Sequence, residues 1–145
     1  MPYGSTAVAE VLGGRRTLGR RIRTTSELAA AVEAGLPVAS LDIVVHRVAG
    51  ETRLAGEIRE RVVPKTTLQR RRDRLSAQES ERLERLARLT ALAEQVWEDA
   101  DLAHEFLVSR QPQLGGERPV DLIRTDLGTR QVEDILWSVE YSLPA

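Results

Sequence analysis

Residues 76–97 read SAQESERLERLARLTALAEQVW, and this stretch decides the fold. Ser76 and Glu79 have the spacing of a capping box, in which the hydroxyl and the carboxylate satisfy orphan N–H groups at a helix start. Leu83, Leu86, Leu89, Leu92, Ala93, Val96 and Trp97 then follow at helical spacing. Their sector is too broad for one neighbour to cover, so the spacing predicts a helix over 77–97 packed against several others. On the outer side, Glu81 precedes Arg85 and Glu84 precedes Arg88 by one turn, the favourable order for acid and base.

Working upstream, Thr24 and Glu27 form a second capping box. Its helix carries Leu28 and Val32 and stops at Gly35. Pro37 suits the start of the next helix, whose face is Val38, Leu41, Val45 and Val48 and whose end is Gly50. A third helix carries Leu54 and Ile58, and Pro64 can open a fourth. Downstream, Leu102, Phe106 and Leu107 mark a short helix, Pro112 to Gly116 a loop, and Pro119 to Ile123 another short helix. Thr125 or Asp126 can cap a last helix running to about Tyr141. Strand signals are weak throughout, so the expected class is all-α. Residues 1–23 differ: Gly4, Gly13, Gly14 and Gly19 interrupt any helical pattern, and Arg15, Arg16, Arg20, Arg21 and Arg23 are dense. They read as a mobile basic arm, either solvated or in contact with phosphate or a groove.

Composition narrows the function. The absence of cysteine excludes disulfides and thiolate metal sites and fits a reducing, cytoplasmic setting. No apolar run approaches a membrane span. There is no Ser-His-Asp set, metal-ligand cluster or glycine-rich phosphate loop, so neither an enzyme nor a cofactor is expected. His46 reads as structural and His104 as a solvated surface residue. The net charge of −1 hides an asymmetry: residues 47–74 carry +5 and residues 75–145 carry −7. Such polarity implies two surfaces with different partners.

The basic middle, TRLAGEIRERVVPKTTLQRRRDR over 52–74, has two short helices about a tight turn, the second strongly basic. That is the layout of a helix-turn-helix. The candidate DNA-contacting set is Lys65, Thr66, Thr67, Gln69, Arg70, Arg71, Arg72 and Arg74. Arg reads guanine edges, Gln reads adenine, and Arg71, Arg74 and Arg61 are placed to meet phosphates. A basic helix is also commonly just a solvated face, and Pro64 stands where a capping Ser or Thr is usual. In the last helix Val132, Ile135, Leu136 and Val139 share the core sector, while Trp137 and Tyr141 fall opposite, beside Arg130 and Glu133. Either a second helix covers this pair or it anchors a partner. The tail through Leu143, Pro144 and Ala145 is apolar and too short to fold back far.

Several blocks resemble one family. LAAAVEAGLPVASLD, then VPKTTLQRRRDRLSAQESERLERLARLTALAEQVWED, and above all QPQLGGERPVDLIRTDLGTRQVEDILWSVEYSLPA are similar to antitoxins of the Xre/MbcA/ParS type. Trp137-Ser138 and Ser142 depart from that pattern without breaking the helix. The resemblance implies an Xre-like helix-turn-helix domain over 24–76 after the arm over 1–23. A linking helix over 77–98 then leads to a toxin-binding domain over 99–145. It implies as partners a RES-domain toxin that consumes NAD or ADP-ribosylates a target, operator DNA, and a homodimer or a larger assembly with toxin. The toxin-facing residues would be Arg130, Glu133, Trp137, Glu140, Tyr141, Leu143, Pro144 and Ala145. Glu140 and the Ala145 carboxylate would enter the pocket where a dinucleotide pyrophosphate binds. A stand-alone helix-turn-helix regulator with a C-terminal dimerisation domain is the competing expectation.

Overall fold

The computed structural model describes residues 4–65 and 72–142. Among them the architecture is all-α: α1 Ser5–Val11, α2 Gly14–Leu18, α3 Thr25–Ala34, α4 Val38–Ala49, α5 Arg53–Val62, α6 Ala77–Trp97, α7 Ala100–Val108 and α8 Asp126–Ser142. Two 3-10 helices, Pro112–Leu114 and Pro119–Arg124, lie between α7 and α8. None of the described helices is long and apolar enough to cross a membrane.

Both capping boxes form as the sequence predicts. The Thr24 Oγ1 accepts from the Glu27 N–H at 3.1 Å and the Glu27 carboxylate accepts from the Thr24 N–H at 3.1 Å. Ser76 and Glu79 make the same exchange at 3.1 and 2.8 Å. Asp99 caps α7 through the Leu102 N–H, and Thr125 caps α8 through the Gly128 N–H. These partners fix where each helix starts, because the first N–H groups have no acceptor within the helix.

α6 is the axis of the molecule as well as the link between its ends. It packs against α1, α3, α4, α5, α7, α8 and the second 3-10 helix. Leu83, Leu86, Ala87, Leu89, Leu92 and Ala93 are fully buried along it. Each such leucine contributes about 1.5–3 kcal/mol on leaving water, so α6 carries much of the driving force for the fold. The α3–α4 corner is stitched to the approach of α6. Val38 N–H donates to the Asp73 carbonyl at 2.9 Å, Leu75 N–H to the Leu36 carbonyl at 2.8 Å, and Leu36 N–H to Ser80 Oγ at 2.8 Å.

The N-terminal segment corrects the expectation of a mobile arm over 1–23. α1 buries Val8, Ala9 and Val11 against α6, and Leu12, Leu18 and Ile22 are buried beyond it. The glycines do not interrupt helices but bound them: Gly4 precedes α1, Gly13 and Gly14 open α2, and Gly19 closes it. Gly13 takes φ 114 between α1 and α2, a conformation that other residues rarely adopt. The arginines occupy the exposed side of this hairpin rather than a free chain.

Candidate functional site

The helix-turn-helix region begins on α5, which buries Ile58 and Val62 and leaves Lys65 exposed just beyond Pro64. Thr66, Thr67, Gln69, Arg70 and Arg71 lie outside the described residues. Arg72 faces inward: its Nη2 donates to Glu79, with the ion pair at 2.8 Å. Burial works to raise the Glu79 carboxyl, but the Arg72 guanidinium and the Ser76 N–H hold it below its ordinary value. Arg72 therefore secures the cap of α6 rather than standing free for a base. Arg74 is exposed, with Nη1 donating to the Gly35 carbonyl at 2.9 Å.

Arg61 also departs from its expected role at phosphate. Its Nε donates to Asp121 Oδ1 at 2.8 Å, sixty residues away on the second 3-10 helix. Asp121 is a node. It accepts from Arg118 Nε at 2.8 Å and Nη2 at 3.1 Å, and Arg118 reaches on to Glu57 of α5 at 3.2 Å. Burial pushes the Asp121 carboxyl up, and the two arginines more than offset it, so it stays below its ordinary value. The chain Arg61–Asp121–Arg118–Glu57 clamps the end of α5 to the segment that leads into α8. Two α6 arginines reinforce it. Arg82 Nε donates to the Val62 carbonyl at 2.9 Å, and Arg85 donates to the Ile123 and Arg124 carbonyls at 2.7 and 3.1 Å. Cations here satisfy the orphan carbonyls at two helix ends. Arg85 is thus drawn from its expected partner Glu81, whereas Arg88 does pair with Glu84, at 3.4 Å.

A second polar cluster, centred on the half-buried Glu94, joins α4, α6 and α7. Glu94 accepts from Arg47 at 2.7 and 2.9 Å, and its Oε2 lies 2.7 Å from His104 Nε2. His104 is partly buried in this contact rather than solvated, whereas His46 is exposed rather than structural. Among the described residues no three of His, Asp or Glu converge as a metal-binding set.

α8 begins under tight steric control. A Cβ on Gly128 would lie 2.5 Å from the Leu122 carbonyl oxygen, so only glycine lets the helix seat against the 3-10 turn before it. Val132 and Leu136 are fully buried, and Ile135 and Val139 are half-buried at the margin of the same face. Trp137 does not stand clear of the core. It is half-buried and packs against the core cluster, because the core wraps further round α8 than one sector. Tyr141 is 82% exposed and stacks on Trp137, with ring centroids 5.9 Å apart. Glu133 turns inward toward Arg88 at 3.9 Å. Burial, chiefly, raises the Glu84 carboxyl nearby, with Glu133 and Asp126 adding negative charge. Arg130 is exposed and pairs with Asp126 at 3.2 Å, and Glu140 is half-buried. Leu143, Pro144 and Ala145 lie outside the described residues. The open face of α8 is therefore a stripe of Leu127, Arg130, Gln131, Asp134, Ser138 and Tyr141. It spans about 21 Å at the usual helical rise. Leu127, 69% exposed, is not among the residues the sequence singles out, although its position four before Gln131 puts it on this stripe.

Among the described residues, α6 joins the helices around α5 to a small helical segment that ends in the partly open amphipathic α8. Residues 27–88 match the antitoxin Xre-like helix-turn-helix domain, and residues 92–141 match the antitoxin Xre/MbcA/ParS C-terminal toxin-binding domain. The chain is 36% identical over 84 residues to antitoxin Xre of Pseudomonas putida, covering 56% of this chain and 53% of that one. The chain spans about half the length of this curated relative. It belongs to the Xre/MbcA/ParS family of antitoxins. The two matches meet inside α6, between residues 88 and 92, so one continuous helix serves both domains.

Proposed function

We propose that this protein neutralises a RES-domain toxin, one that consumes NAD or ADP-ribosylates a target, and represses its own operon through the helix-turn-helix. The observation that carries the reading is the end of α8. An exposed tyrosine stacked on a half-buried tryptophan terminates a helix inside a matched toxin-binding domain. Aromatic anchors of this kind dominate interface energies, since they bury large area at low entropic cost. Tyr141 with Leu127 and Arg130 would form the contact outside the toxin cleft. Glu140 and residues 143–145 would enter it, the Glu140 carboxylate meeting arginines that otherwise hold a pyrophosphate.

On the nucleic-acid side, Lys65, Thr66, Thr67, Gln69, Arg70 and Arg71 are the proposed contacts. Arg72 is omitted because its guanidinium serves Glu79. Operator binding by a dimer, or by a larger assembly with toxin, would then couple repression to toxin capture through the α6 axis and the Arg61–Asp121 clamp. The test is co-purification of the tagged protein with the product of the neighbouring reading frame, followed by hydrogen exchange on the complex. A stable complex with new protection over 127–142 is expected. Absence of a complex, with promoter binding retained, would move the protein to the class of lone regulators.

A further inference from the structure

Most described arginines are tied to a partner. Arg47, Arg59, Arg61, Arg72, Arg88, Arg118 and Arg130 pair with carboxylates, and Arg74, Arg82, Arg85 and Arg110 donate to backbone carbonyls. Arg53 and Arg124 are exposed and stand singly, whereas the N-terminal hairpin gathers several such arginines together. Arg15 and Arg16 on α2, with Arg20 and Arg21 after it, are exposed and make no ion pair with any described carboxylate. Glu10 is the one acid among residues 1–23. Four neighbouring cations without counter-charges repel one another, and an anionic partner relieves that cost.

Their setting selects the partner. Arg20 and Arg74 line the same cleft of about 390 Å³, together with Leu18, Gly35 and Pro37, and no carboxylate lines it. Arg74 is fixed there, because the backbone on either side of it is pinned through Asp73 to Val38 and through Leu75 to Leu36. Arg20 is fixed because Leu18 and Ile22 on either side of it are buried in the core. Buried neighbours and backbone hydrogen bonds thus hold the backbone of the hairpin beside the return from the helix-turn-helix, so binding has only the exposed arginine side chains left to order.

We propose that Arg15, Arg16, Arg20 and Arg21, with Arg74 across the cleft, form a second DNA-contacting surface. It grips phosphodiester groups flanking the site read by the helix-turn-helix. This rests on the DNA-binding reading above. It adds backbone affinity without base discrimination, since guanidinium–phosphate contacts position the protein and carry no sequence information.

The test uses the full chain and two labelled duplexes: one spanning the region immediately upstream of the gene, and one of equal length and unrelated sequence. Binding is measured over a salt series for wild type, for the quadruple Arg15→Ala/Arg16→Ala/Arg20→Ala/Arg21→Ala variant, and for the matching quadruple lysine variant. The alanine variant is expected to bind both duplexes roughly tenfold or more weakly, with the salt slope reduced by about 0.9 for each phosphate no longer neutralised. The lysine variant should keep most of the affinity. All four side chains are exposed, so helicity and melting temperature serve as folding controls, neither of which should fall. If wild type binds and the alanine variant matches it in affinity and slope, the second surface does not exist although the helix-turn-helix reading stands. A loss confined to the upstream duplex would overturn the phosphate role in favour of base readout. If wild type binds neither duplex, the DNA-binding reading falls and takes this surface with it.

Discussion

Replacing Asp121 by asparagine removes the charge at the node that joins α5 to the approach of α8. Asp121 is 8% exposed and receives three hydrogen bonds from two guanidinium groups. A hydrogen bond to a charged group contributes about 1.5–3 kcal/mol. The Arg61 side chain is 38% exposed, so solvent screens its share toward the low end, while Arg118 at 16% is screened less. Asparagine keeps one acceptor oxygen but turns an N–H₂ toward a cation. The net loss should be about 2–3 kcal/mol, or roughly 6–9 °C in Tm for a chain of this size. Urea denaturation followed through Trp97 and Trp137 fluorescence measures it directly. In a double-mutant cycle, Arg61→Ala and Asp121→Asn should couple by about 1 kcal/mol. The pH dependence has a definite sign. Burial alone would raise the Asp121 carboxyl, but the arginines hold it below its ordinary value. Its stabilisation is therefore complete above the unfolded-state pKa of about 4 and vanishes as pH falls through the lower folded-state value. The gap between wild type and D121N should narrow on acidification. A variant within about 0.5 kcal/mol of wild type at neutral pH would refute the clamp.

Leu12→Ala tests whether the N-terminal hairpin belongs to the core. Leu12 is fully buried, so thermal melting should show a loss of about 2–5 kcal/mol, whereas a mobile arm would show none. Gly128→Ala should destabilise by about 1–3 kcal/mol, because the added methyl meets a backbone carbonyl that cannot swing aside. Calorimetry should find the loss even though alanine is the better helix former. Tyr141→Ala should leave the melting temperature unchanged, since the ring is mostly in solvent, yet weaken toxin capture at least tenfold in a titration, the scale of an aromatic anchor.

Helix boundaries are legible wherever a cap or a punctuating residue writes them. The two capping boxes open α3 and α6 at Thr25 and Ala77, and Gly35 and Gly50 close α3 and α4. The N-terminal hairpin escapes a single-sequence reading although its signal is present: Val8, Val11 and Leu12 have helical spacing. Glycine density outweighs that periodicity, because in one sequence a glycine between helices looks like a glycine within one. The clamp is legible only in its local half, where Arg118 precedes Asp121 by one turn. Arg61 is sixty positions away, and nothing local marks such a partner. A separation of 38 and 39 positions likewise hides the role of Arg85, whose acceptors are carbonyls at the end of another helix. The geometry of one helix places Trp137 outside the core, because it holds no information about how far neighbours wrap around it.

Cellular NAD is the most direct readout of the central claim. The product of the neighbouring reading frame would be expressed alone, with the full chain, and with a chain lacking residues 141–145. NAD should fall with the toxin alone, recover with the full chain, and fall again with the truncated chain, which should still fold and bind promoter DNA. Full protection by the truncated chain would contradict the plugging end. NAD unaffected by the neighbouring product in every combination would contradict an NAD-consuming partner.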